Sequence, residues 1–158
     1  MIGALAAALL TWQAAAPMPF SLNHFMDLSA ALDGRWVEFD AYVVLMRRPG
    51  GPPTLNALTG EMRTQDDGTN RLMCADDGEA TLAVVLGRDG FGPLSRRAAR
   101  PRNAYVGVRI RGFLRARPFG FRVGNFEHEW VGSVDHARIV RLTGGRCLIN
   151  YPEIPGQL

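Results

Sequence analysis

The clearest pattern in the chain is a strict alternation of apolar and polar residues from Ala104 to Arg117. Val106, Val108 and Ile110 belong to the apolar set, whereas the other set carries four arginines and two aromatic residues. Alternation with a period of two over this length predicts a half-buried β-strand. Its polar face is either a surface for an anionic partner or a row paired with acids on a neighbouring strand.

A second alternating segment, from Arg35 to Arg48, predicts a long first strand. Its apolar residues run from Val37 to Leu45 on one side, and Glu38 and Asp40 lie on the other. If this strand and the strand predicted at residues 104–117 are neighbours, Glu38 and Asp40 form cross-strand ion pairs with Arg109 and Arg111. Each such pair contributes only about 0.2–1 kcal/mol.

The remaining elements are shorter. Residues 70–75, 80–86 and 135–142 predict strands, and residues 121–131 extend the last of these into a hairpin. A hairpin turn is expected at residues 76–79, where Gly78 can adopt positive φ.

Proline and glycine residues mark the loops and helix ends. Residues 49–68 are interpreted as a long loop because they begin with a proline- and glycine-rich run. Short helices are predicted at residues 21–32 and 94–100, the second following Pro93.

The predicted order is strand, strand, strand, short helix, strand, strand, which defines an all-β fold with one or two short helices. This layout resembles the OB-fold superfamily, particularly its small exported bacterial members. The resemblance covers about residues 33–142 and is carried by RWVEFDAYVV, YVGVRIRGFL and ARIVRL. It implies a five-stranded Greek-key barrel over residues 35–142. The main alternative, an immunoglobulin-like sandwich, requires about seven strands.

The N-terminus predicts export. Residues 1–16 combine an apolar run with Ala14 and Ala16 at cleavage-site spacing, which is typical of a signal peptide, although no Arg or Lys precedes the run. The run is too short for an ordinary membrane span, so no integral span is expected after its removal. The expected location is periplasmic or secreted. The alternatives are a cytoplasmic protein whose N-terminal helix packs on the domain, and an uncleaved membrane anchor.

The predicted domain therefore has three parts after the signal peptide. Residues 17–34 form an N-terminal segment with a short helix, residues 35–142 form the barrel, and residues 143–158 form an irregular tail. Cys74 and Cys147 predict a disulfide in an exported chain, with two unrelated buried thiols as the alternative.

Charge is distributed unevenly along the chain. All 18 basic residues are arginines; residues 88–122 hold ten of them with one acid, whereas residues 1–80 hold ten acids and five arginines. The two regions either neutralise each other in the fold or leave a basic patch for an anionic partner.

The resemblance also implies where ligands bind: on the face of strands two and three and the loops joining strands one to two and four to five. Arg47 and Arg48 begin the first loop, and the second contains aromatic residues and Arg122. Arg115 and Arg117 lie near the end of strand four without an obvious acidic partner. The candidate ligand-binding residues are therefore Arg47, Arg48, Arg115, Arg117, Phe119 and Arg122. Phe121, Phe126 and Trp130 are instead interpreted as core residues at the barrel end.

No catalytic motif occurs in the sequence. Glu127, His128 and Glu129 do not converge as metal ligands on a strand, so no metal or cofactor is expected. The sequence predicts a non-catalytic, exported OB-type binding module that contacts a protein partner or an anionic envelope molecule. The alternative is a single-stranded nucleic-acid-binding domain.

Overall fold

The computed structural model describes residues 16–19, 21–22, 30–46, 50–74, 81–100, 104–123 and 126–148, with the backbone alone for 119–123 and 126–129. The structure is mostly β-strand, as the alternating patterns predicted. The strands within these residues are β1 (Met18–Pro19), β2 (Trp36–Met46), β3 (Thr54–Leu58), β4 (Gly60–Thr64), β5 (Asn70–Cys74), β6 (Leu82–Leu86), β7 (Ala104–Arg115), β8 (Phe119–Val123), β9 (Phe126–Trp130) and β10 (Gly132–Leu148).

Five of these strands close into a ring in the order β2, β3, β6, β10, β7 and back to β2. The β6–β10 pair is parallel, and the other four pairs are antiparallel. The predicted first and fourth strands, β2 and β7, are therefore neighbours. β1, β4 and β5 extend the sheet outside the ring, and β8 and β9 form a separate two-stranded sheet.

The core fills the ring because the apolar positions of the alternating strands point inward. Val37 and Val43 of β2 and Val108 and Ile110 of β7 are fully buried. Burial of each such side chain contributes about 1.5–3 kcal/mol. The prediction of a half-buried strand is thus confirmed for β7, although Tyr105 on its outer side is also buried, in a second cluster with Leu58 and the two cysteines.

Gly112 allows β7 to pack closely against β10. A Cβ at this position would overlap Cγ1 of Val134 and lie 3.0 Å from the carbonyl oxygen of Asp135. The register of β10 shifts beside it, between Asp135 and Arg138, where His136 has a φ of 51°. A larger residue at 112 would therefore have to displace the backbone of β10.

The prediction of a long loop over residues 49–68 is wrong. β3 and β4 lie there, and β3 is the second strand of the ring. Four of the five residues of β3 are buried, so the strand is covered on both faces and shows no alternation.

The predicted strand at 70–75 exists as β5, but it lies outside the ring and pairs with β4 and β10. It is not a neighbour of β6, so the predicted hairpin between the two strands is wrong. The turn proposed for that hairpin, residues 76–79, lies outside the described residues.

The predicted helix at 94–100 is reduced to a single turn. The hydroxyl of Ser95 accepts a hydrogen bond from the amide of Ala98 at 3.0 Å, and the amide of Ala99 donates to the carbonyl of Ser95. The carbonyl of Ala99 then accepts from Leu45 of β2 at 2.7 Å. Because this carbonyl is hydrogen-bonded to β2, the turn is attached to the sheet and does not continue as a helix. Of the helix predicted at 21–32, residues 30–32 are helical and 23–29 lie outside the described residues.

β10 continues to Leu148, so the prediction of an irregular tail from residue 143 is wrong as far as that residue. A disulfide joins Cys147 of β10 to Cys74 of β5, with a Cα–Cα distance of 4.9 Å. The bond ties the β4–β5 pair to the ring. Residues 1–15, which include most of the predicted signal peptide, lie outside the described residues, as do residues 149–158. In the described part of the chain, no helix is long and apolar enough to cross a membrane.

Candidate functional site

The outer surface of β2, β7 and β10 gathers most of the arginines on these strands. The register places Arg109 opposite both Asp40 and Arg141, and Arg111 opposite both Glu38 and Arg138. One step further along, Phe113 lies between Trp36 and Asp135. We call this surface the basic face; it comprises Trp36, Arg109, Arg111, Phe113, Arg115, Arg138 and Arg141.

One arginine of the basic face is neutralised by its neighbour. Arg109 donates two hydrogen bonds of 2.7 Å to the carboxylate of Asp40, and its Nη1 lies 3.8 Å from Oε1 of Glu38. The hydrogen bonds from Arg109 hold the pKa of Asp40 below its ordinary value, and they raise the pKa of Arg109. This arrangement matches the cross-strand ion pair predicted for Arg109.

Arg111 and Arg138 are not neutralised in the same way. They lie directly opposite each other on β7 and β10, and like charges in that position destabilise a sheet. Glu38 is opposite Arg111 on the other side, but its carboxylate approaches Arg109 instead. Among the described residues, no acid forms an ion pair with Arg111 or with Arg138.

A second pair of opposed arginines differs from Arg111 and Arg138, because acids neutralise both of its members. Arg63 and Arg71 face each other on β4 and β5. Each has its own acid, because Arg63 lies 3.1 Å from Glu61 and Arg71 lies 3.6 Å from Asp67. Arg111 and Arg138 therefore carry charge that the described part of the fold leaves uncompensated.

Aromatic residues lie beside this uncompensated charge. The Trp36 side chain is 45% exposed and makes an edge-to-face contact with Phe113, with ring centroids 6.1 Å apart. The guanidinium of Arg115 lies 4.9 Å from the centroid of the Phe113 ring. The basic face thus combines exposed guanidinium groups with two aromatic rings in edge-to-face contact.

The predicted site residues are only partly visible on this surface. Arg115 lies on it but pairs with Asp135 at 3.4 Å, so the expectation that Arg115 lacks an acidic partner is wrong. Arg117 is exposed beyond the end of β7. Arg47 and Arg48 lie outside the described residues, and Phe119 and Arg122 are described only as backbone positions of β8.

Sequence reasoning did not select Arg138 and Arg141. Both are exposed, but they are three positions apart, which no regular strand places on one face. The register shift between Ile139 and Arg141 brings them to the same side. Only the three-residue spacing of two arginines in an apolar strand could have signalled the irregularity.

The outer face of β3 and β6, where the resemblance implies ligand binding, is covered at its centre. Trp130 is 2% exposed, and its Nε1 donates a hydrogen bond of 2.6 Å to Oδ1 of Asn56 on β3. Ala83, the partner of Asn56 on β6, is fully buried. Trp130 is therefore a packing residue: the prediction that it is buried is confirmed, although it covers the outer face of β3 and does not lie at the barrel end.

Within the described ranges, no three His, Cys, Asp or Glu side chains converge as metal ligands. Comparisons with protein-family models, with curated proteins and with solved structures find no match.

Proposed function

We propose that this domain is an exported binding module whose basic face holds an anionic macromolecule of the cell envelope. The observation that carries the proposal is the direct opposition of Arg111 and Arg138 without an acidic partner among the described residues. An anionic group between the two guanidinium groups would convert a repulsive contact into charge-assisted hydrogen bonds.

We also propose that the five-strand ring is an OB-type barrel. The neighbouring first and fourth ring strands, β2 and β7, support this assignment. So does the turn at residues 88–100, between the third and fourth ring strands, where the sequence pattern predicted a helix. In this proposal the ligand binds on the outer surface of β2, β7 and β10, which are the first, fourth and fifth ring strands. Trp130 covers the outer face of the second and third ring strands, β3 and β6.

The proposed location is the periplasm or the cell exterior. The disulfide between Cys74 and Cys147 supports an oxidising compartment, since cytosolic thiols are ordinarily kept reduced. The apolar N-terminal run with its small residues supports export on independent grounds. Acidic envelope polymers are ligands that such a location makes accessible.

The experiment is a titration of the disulfide-bonded protein with polygalacturonate, an acidic polysaccharide, at about 50 mM and about 200 mM salt. Replacement of Arg138 by glutamine should weaken binding roughly fivefold to tenfold, which corresponds to about 1–1.4 kcal/mol. The matched control is Arg63→Gln, which changes the net charge equally on the distant β4 strand. No binding at low salt, or equal losses in the two variants, would overturn the proposal.

A second candidate is single-stranded nucleic acid, favoured by the exposed indole of Trp36 beside Arg111. Bases stack on exposed aromatic rings while guanidinium groups hold phosphates. Oligothymidylate should then quench tryptophan fluorescence, and Trp36→Leu should remove the quenching with a loss of about 1–3 kcal/mol per stacked base. A flat titration at about 50 mM salt would eliminate this candidate.

A further inference from the structure

A groove runs along β2 beside the basic face. It consists of two adjoining cavities of about 340 and 330 Å³, both of which are lined by Ser21 and Asp40. Each volume lies at the lower end of the range for ligand-binding pockets. From Glu38 to Tyr42 the groove follows β2 for about 13 Å, at roughly 3.3 Å per residue.

The chemistry of the groove differs from that of the basic face. The first cavity is lined by the linked side chains of Glu38, Asp40 and Arg109, together with Pro17 and Pro19. The second is lined by the hydroxyl-bearing Tyr42, Thr59 and Thr143 from separate chain segments, together with the apolar Leu22 and Leu58. The groove therefore offers hydrogen-bond donors and acceptors in both cavities, with the ring of Tyr42 in the second.

Tyr42 is held in place by close contact with two glycines. A Cβ on Gly60 would lie 2.7 Å from Cε2 of the tyrosine ring, and a Cβ on Gly145 would lie 3.0 Å from its hydroxyl oxygen. One ring edge thus lies against Gly60 and the opposite edge against Gly145. The absence of side chains at these positions leaves room for the ring and fixes its position in the groove.

The charges in the groove disfavour ions of either sign. An anion would meet two carboxylates and one guanidinium group, and a cation would compete with Arg109, which already occupies Asp40 at 2.7 Å. Asp40 remains an ionised acceptor at neutral pH, since Arg109 lowers its pKa. A purely apolar ligand would displace water from the charged and hydroxyl groups of the groove without replacing the hydrogen bonds that the water makes.

We propose that this groove binds an uncharged oligosaccharide, whose hydroxyl groups hydrogen-bond to Glu38, Asp40 and Arg109 and one of whose rings packs against Tyr42. Sugar hydroxyls both donate and accept hydrogen bonds, which matches a carboxylate–guanidinium pair. Their C–H faces match an aromatic side chain. The groove extends beyond a single cavity, so a chain of linked sugars fits better than one monosaccharide. The site does not depend on anion binding by the basic face.

The test is an NMR titration of the full, disulfide-bonded chain with chitotetraose, maltotetraose and cellotetraose, each as an uncharged probe. At least one of them should shift the backbone amide resonances of residues 38–42 and 143–145. Thr143→Trp should fill the second cavity and weaken this binding at least tenfold, because Thr143 is exposed and lines the groove. The matched control is Met62→Trp, at a residue that is 65% exposed and does not line the groove, and it should bind as the wild type does.

Two further variants keep the result interpretable. Glu38→Gln removes one charged acceptor without adding bulk, and it should weaken binding about threefold to tenfold, as expected for the loss of a hydrogen bond to a charged group at a partly exposed site. Arg138→Gln should leave sugar binding unchanged even where it weakens anion binding. Urea denaturation of Thr143→Trp shows whether that variant is folded. The inference is overturned if none of the three sugars shifts these resonances, or if both Thr143→Trp and Glu38→Gln bind as well as the wild type.

Discussion

Replacement of Arg138 by glutamate should stabilise the domain while it weakens anion binding. Arg138 lies opposite Arg111 on the neighbouring strand, and neither forms an ion pair with an acid among the described residues. The substitution replaces a repulsive cross-strand pair with an attractive one. Binding sites often hold like charges close together, at a cost in stability. At this position the substitution should therefore raise the stability of the fold and lower its affinity for anions.

The size of this stabilisation follows from the pairing of Arg138 with Arg111 in the sheet. A cross-strand pair of opposite charges contributes about 0.2–1 kcal/mol, and a like-charged pair costs a similar amount. The change from repulsion to attraction is the sum of these two effects, so it should raise the free energy of unfolding by about 0.4–2 kcal/mol at low ionic strength. Arg138→Gln removes the repulsion without adding the attraction, so it should give about half of this increase.

The assay is urea denaturation, since urea leaves the ionic strength unchanged. Measurements at about 10 mM and about 1 M ionic strength differ in Debye length from about 30 Å to about 3 Å, and the stabilisation should largely disappear at the higher value. The reasoning is refuted if the glutamate variant is less stable than the glutamine variant at low salt. It is also refuted if the stability difference is the same at both salt concentrations.

Three other perturbations test the fold and its electrostatics. Gly112→Ala should lower the free energy of unfolding by about 1–3 kcal/mol in urea denaturation, because the added methyl group overlaps Val134 and approaches the backbone of β10. The double variant Cys74→Ser, Cys147→Ser should lose about 4 kcal/mol, since the disulfide closes a loop with a sequence separation of 73 residues. Arg109 lowers the pKa of Asp40 from 3.8, so the stability that Asp40 provides is present above that pH and is lost as the pH falls through its folded-state value. Asp40→Asn should therefore lose less stability than the wild type as the pH falls below 3.8.

Gly112→Ala has a matched control, and for each of the three perturbations one outcome would contradict the reasoning. Gly50→Ala tests the glycine effect without a clash, since no atom lies within 4 Å of its added Cβ, although its φ of 70° adds backbone strain. Gly112→Ala with wild-type stability would show that β10 adjusts freely. A single Cys74→Ser variant as stable as the wild type would contradict the role of the disulfide. Identical acid denaturation of wild type and Asp40→Asn would show that the ion pair does not stabilise the fold.

The alternating strands were predictable because each has one face in the core and one towards solvent. β2 and β7 follow the period of two closely, and their pairing through Asp40 and Arg109 was predictable from the charges. β3 was not predictable in this way, since residues on both of its faces are buried. It also follows a proline- and glycine-rich run that is typical of loops.

The basic face could be predicted only in part, because it depends on contacts between residues distant in sequence. The alternation identified Arg109, Arg111 and Arg115. Arg138 joins them through the irregular register of β10, where His136 has positive φ. The coverage of Asn56 by Trp130 is similarly non-local, since the two residues are 74 positions apart. Neither the place of Arg138 on the basic face nor the contact of Trp130 with Asn56 can be seen in a local sequence pattern.

The position of β10 determines when this chain can fold. It pairs with β6 and β7 inside the ring and with β5 outside it, and it is the last strand in the described part of the chain. Until residues 132–148 are available, β6 and β7 each present an open edge, and the apolar interior remains in contact with water. Contacts between such distant segments form slowly. A ribosome or translocation pore that still holds residues 132–148 therefore holds a chain whose core is incomplete and whose exposed apolar surface and open strand edges favour aggregation.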